Sequence, residues 1–106
     1  MNKHIFDHQA WGEMTIFEQM GNIGSEVGRA LAAKKQGDED KMMAAFYRGI
    51  DLIDETVELW SSQNKPGLKE LLLAKEQFAE SILTDQKNSG IEQYFMNFAI
   101  AARITR

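Results

Sequence analysis

Apolar residues recur at spacings of three and four along three stretches of this chain, and no segment alternates with a period of two for long enough to argue a strand. A stripe spaced this way lies on one side of an α-helix and needs another surface to cover it. Ile16, Met20, Ile23, Val27 and Ala30 form the first stripe. Met42, Met43, Phe46, Ile50, Ile53, Val57 and Trp60 form the second, and Leu52 and Leu59 widen it. Leu68, Leu71, Leu72, Phe78, Ala79 and Ile82 form the third.

Local signals punctuate these stripes. Thr15 and Glu18 make a T-x-x-E capping box, in which each side chain satisfies a free backbone N–H of the first turn. Gly37 is a stop signal just after Lys34 and Lys35, whose charges suit a helix C-terminus. Asp38, Glu39 and Asp40 put negative charge at the start of the second helix. Ser61 to Pro66 reads as a polar loop, with Pro66 in the first turn of the third helix. Ser89 and Glu92 form a second capping box, opening an alanine-rich last helix from about Ile91 to Ile104. Short connections favour antiparallel neighbours. The expected fold is therefore all-α, a small up-and-down bundle of about four helices. One domain spans residues 15–106, and residues 1–14 form an N-terminal arm whose aromatics, Phe6 and Trp11, dock on it.

Composition narrows the setting. The 106 residues suit one domain, and a 43% hydrophobic share is too apolar for disorder. No Cys is present, which removes disulfides, thiolate catalysis and Cys-ligated zinc and suits a reducing cytoplasm. No apolar run approaches a membrane span, and the N-terminus lacks the apolar region of a signal peptide. A net charge of -4 with scattered basic residues argues against a nucleic-acid face.

Three local features carry a choice of readings. Gly21, Gly24 and Gly28 line one side of the first long helix, and Ala32 extends the strip. Close helix–helix contact explains such a strip, and contact with a second copy or another protein is the sharper reading. The G-x-x-x-G pair within it is no membrane signal, because Ser25, Glu26 and Arg29 interrupt the segment. Lys75 falls inside the third apolar stripe. Its stem can lie along the core with the charge at the edge, or it pairs with Glu26 or Asp54. His4 and His8 stand four apart, the spacing of a metal clasp, but with only Asp7 beside them they read as solvated, with no metal and no cofactor implied.

Acid–base chemistry by carboxylates alone stays open through Glu26, Asp51, Asp54 and Glu55, although helical surfaces always carry carboxylates and nothing marks these as special. Other familiar chemistries find no footing. A di-metal bundle needs Glu-x-x-His pairs, and neither His follows a Glu at that spacing. Ser25 has no His placed to act as its base. An Arg-x4-6-His ribonuclease motif fails because both His precede every Arg.

Residues 19–30 (QMGNIGSEVGRA), Phe46 to Val57, the GLKEL run at 67–71 and residues 94–103 (YFMNFAIAAR) resemble a family of small bacterial proteins. The resemblance covers most of the chain from about residue 17 and implies a helical fold, with no activity, cofactor or catalytic residue attached. The linker from Thr84 to Gly90 departs from it, being shorter than the acidic, aromatic loop of the family.

Two functions follow as expectations. The first is a non-enzymatic protein–protein interaction module that self-associates. Its last helix presents Ile91, Phe95, Phe98 and Ala102 on one face and Met96, Ile100 and Ile104 on a second, which serves a homodimer. The second is a catalytic or ligand-binding domain, one that binds a small ligand or binds or processes RNA, built on a polar cluster of Glu26, Arg29, Arg48 and Asp54, with Lys75 nearby. A concave pocket joining that cluster favours the second, and a flat apolar patch on the last helix favours the first.

Overall fold

In the computed structural model, described over residues 8–64, 67–84, 90–91 and 94–95, the chain is an all-α bundle. Its helices are α1 (His8–Glu13), α2 (Ile16–Gln36), α3 (Glu39–Ser62) and α4 (Leu68–Leu83). The segment read as an arm thus carries a short helix of its own.

The local signals account for most helix ends. Glu18 N–H donates to Thr15 Oγ1 at 3.1 Å, and Thr15 N–H donates to Glu18 Oε1 at 2.9 Å, so the capping box is formed. Gly37 ends α2 at φ 75°, a left-handed conformation that glycine adopts without Cβ strain. Asp38 then caps α3 by accepting from Lys41 N–H at 3.1 Å. α4 begins at Leu68 behind an N-cap at Gly67, φ 95°, and Pro66, expected in its first turn, lies outside the described residues. The Ser89–Glu92 capping box also lies outside them.

Cross-chain pairs give the topology. Gln19 meets Trp60 and Glu26 meets Arg48, so α2 and α3 run antiparallel. Phe46 packs edge-on against Phe78 with ring centroids 5.1 Å apart, and Asp54 pairs with Lys75, so α4 runs back along α3. Lys34, near the end of α2, donates to the carbonyls of Ser81 and Thr84 at the end of α4. Its charge thereby covers carbonyls that the helix leaves unpaired, at the negative end of the dipole. After α4 the chain returns, placing Phe95 against Gly24 and Tyr94 near Glu70. Burial, and then the Glu70 carboxylate, push the Tyr94 phenol above its ordinary pKa.

The first stripe is buried along Met20, Ile23, Val27 and Ala30. Fully burying each large member contributes about 1.5–3 kcal/mol. The second stripe is turned relative to its expectation. Ala45, Phe46, Gly49, Ile53, Thr56 and Trp60 are buried, while Ile50 and Val57 sit at the margin. In the third, Ala74 and Ser81 join Leu71, Phe78 and Ile82 inside, and Leu72 is 46% exposed. The rotation of α3 follows from bulk. Its small side lets neighbours approach, and the ring of Phe78 lies where a side chain at Gly49 would begin, 2.9 Å from that Cβ position.

Candidate functional site

Trp11, the anchor of α1, is 5% exposed. Its indole N–H donates to Thr56 Oγ1 at 2.9 Å, and the Thr56 hydroxyl donates in turn to Leu52 C=O at 2.7 Å. Gln19 Nε2 donates to Trp11 C=O at 2.8 Å, and Gln19 Oε1 accepts from Trp60 Nε1 at 3.0 Å. Trp11, Gln19, Thr56 and Trp60, with the Leu52 carbonyl, form a buried polar network joining α1, α2 and α3. Nothing in a 3.6-residue period marks Gln19 or Thr56 as interior. Burial without partners would cost each group about 1–3 kcal/mol, so the network explains how they are tolerated there.

The polar cluster read from the sequence divides into two groups of ion pairs. Glu26, only 13% exposed, accepts from Arg48 Nε at 3.0 Å across the α2–α3 seam. Its other oxygen lies 3.2 Å from Arg29 within α2, a charge contact not aligned as a hydrogen bond. Across the next seam Lys75 Nζ donates to Asp54 Oδ1 at 2.5 Å. Lys75 therefore sits at the core's edge with Asp54 as its partner. Both Lys75 and Asp54 are more than a third exposed, so a double-mutant cycle on them should return at most about 1 kcal/mol, shrinking with added salt. A coupling well above that would place the pair in a drier setting than its exposure indicates.

The glycine strip has one clear role. A Cβ at Gly24 would lie 2.6 Å from Phe95 Cβ, so Gly24 is where the last segment crosses α2. Gly21 and Gly28 are half-buried, and Ala32, expected to extend the strip, is exposed. Met96, Ile100 and Ile104 lie outside the described residues, as do Phe6, His4 and the side chain of His8. The homodimer expectation thus has no described surface to rest on.

A pocket of about 430 Å³ opens beside the α2–α3 seam. It is lined by five carboxylates, Glu26, Asp51, Asp54, Glu55 and Glu58, together with Arg48 and Leu52. Three members of the sequence-read cluster, Glu26, Arg48 and Asp54, are among them; Arg29 and Lys75 are not. The sequence offers Asp51 only as one carboxylate among several and gives no sign of Glu58, because exposed carboxylates on a helix have no local mark. Both are exposed, and neither forms an ion pair among the described residues. Among the described residues no three Asp, Glu or His side chains come close enough to hold a metal ion. None of the described helices is long and apolar enough to cross a membrane. No protein-family model, curated protein or solved structure matches this chain.

Proposed function

We propose that the chain is a non-enzymatic binding domain whose site is the acidic pocket along α3, and that the pocket receives a positively charged segment of a partner protein. The observation that carries this reading is the pocket's lining of five carboxylates against one guanidinium. Glu26, Arg48 and Asp54 are already paired and act as its fixed walls. Asp51 and Glu58 lie seven residues apart, two turns of α3, and are placed to meet Lys or Arg side chains. Leu52 offers apolar surface to the methylene stem of such a side chain. The same charge weighs against a nucleotide or RNA ligand, whose phosphates these carboxylates would repel.

Calorimetric titration with a tetralysine peptide tests the proposal. Binding should be present at low salt and weaken steeply as ionic strength rises. Reversing both charges, Asp51→Lys with Glu58→Lys, should weaken it roughly tenfold or more, since each exposed contact contributes up to about 1 kcal/mol. Equal affinity of the doubly reversed and native proteins for the peptide would sink the proposal.

A further inference from the structure

We propose that α2 and α3 form a socket for an indole, which Trp11 fills from within the same chain. The side-chain groups that bond Trp11 in the described network, Thr56 Oγ1 and Gln19 Nε2, belong to these two long helices, and Met14 N–H adds a local bond to its carbonyl. Thr56 is on α3 and fully buried, Gln19 is on α2 and 2% exposed, and Trp60 behind it is 3% exposed. Each is oriented by a bond that does not involve α1. The Thr56 proton goes to Leu52 C=O, so a lone pair is left facing the indole N–H. The Gln19 amide is held by Trp60 Nε1 at its oxygen, so its N–H₂ points at the Trp11 carbonyl. A site with its acceptor and donor set in advance discriminates by hydrogen bonding and loses little in ordering itself.

The socket opens on another side of α3 from the acidic pocket, with Leu52 between them, its carbonyl serving the socket and its side chain the pocket. At about 100° per residue, Thr56 lies roughly 140–160° around α3 from Asp51 and Glu58. Its occupant is defined by chemistry: a flat bicyclic apolar ring with one N–H donor, and optimally a carbonyl placed as in a tryptophan residue. α1 supplies this from only six residues, too short to be helical without the contacts it makes.

Trp11→Ala in the full chain, with ligands added back, is the test. The variant should melt well below the native protein, and millimolar indole should raise its melting temperature. N-acetyl-tryptophanamide should do so only at higher concentration, because the alanine at position 11 keeps the backbone carbonyl that Gln19 binds and leaves the added amides without a partner there. Benzofuran keeps the ring shape but replaces the N–H with an oxygen, and should bind at least roughly fivefold more weakly than indole. Adding Thr56→Val to Trp11→Ala should erase that preference. The native protein, its socket filled, should not respond to indole. If Trp11→Ala is unfolded alone, indole should restore its helical circular dichroism. No rescue by either indole ligand, equal rescue by benzofuran, or an equal shift of the native protein would each overturn the socket.

Discussion

Replacing Gly24 with leucine should lower the melting temperature by well over 10 °C. A side chain at this position meets Phe95 Cβ at 2.6 Å and the Phe95 backbone carbon and oxygen at 3.4 Å. None of those atoms can rotate away, because Cβ moves only with the backbone. The last segment must therefore lift off α2, uncovering Phe95 and Ile91, both of which are almost completely buried. Overpacking by even a few atoms costs about 1–3 kcal/mol. In a domain near 100 residues each kcal/mol shifts melting by about 4–8 °C. Even Gly24→Ala should be clearly destabilised. Gly49→Ala should suffer less, because there the closest atom, Phe78 Cε2 at 2.9 Å, is at the far side of a ring that can tilt. A Gly24→Leu protein melting like the native one would show that the last segment does not cross α2 at this point.

Gln19→Leu should be the second severe substitution, although leucine suits a helix interior. It leaves Trp60 Nε1 buried without its acceptor, while the Trp11 carbonyl loses the Gln19 donor and keeps the Met14 N–H at 3.2 Å. The stranded indole N–H costs about 1–3 kcal/mol and the weakened carbonyl adds to it, while the apolar gain of leucine offsets part, so a net loss of roughly 1–3 kcal/mol is expected. Gln19→Glu separates hydrogen bonding from packing. Its protonated carboxyl can still accept from Trp60 and donate to Trp11. Burial raises a carboxyl's folded-state pKa above its unfolded value, so this variant should be most stable in acid and lose stability as pH rises through the folded pKa. Denaturant unfolding at several pH values reads this directly. A Gln19→Leu protein as stable as the native one would mean that the network holds nothing together.

What was legible in the sequence follows the range of each interaction. The Thr15–Glu18 box, the Gly37 stop and the acidic start of α3 are local, since partner atoms lie within four residues, and all three are present. The face that α3 buries is not local. Large apolar residues pointed toward Ile50 and Val57, but the helix turns Ala45, Gly49 and Thr56 inward because α2 and the Phe78 ring need space there. Leu72 has the right spacing and is nonetheless half exposed, because α4 meets its neighbours through Leu71, Ala74 and Phe78 instead. Among the charges, Glu26 and Lys75 could be placed at the flanks of their stripes, yet their partners depend on the register between helices. Register pairs Glu26 with Arg48 and Lys75 with Asp54, so one expected cluster becomes two seams. Gln19 and Thr56 escaped notice for a related reason: a buried polar side chain is recognisable only through the partner that satisfies it.

The proposed site is a surface of carboxylates along α3 that binds positive charge. Amide NMR during titration with tetralysine tests it residue by residue. Saturable shifts are expected at Arg48, Asp51, Leu52, Glu55 and Glu58, fading as salt is added, with none produced by a tetraglutamate control. Shifts scattered over the whole surface, the same shifts with tetraglutamate, or no shift along α3 would contradict it.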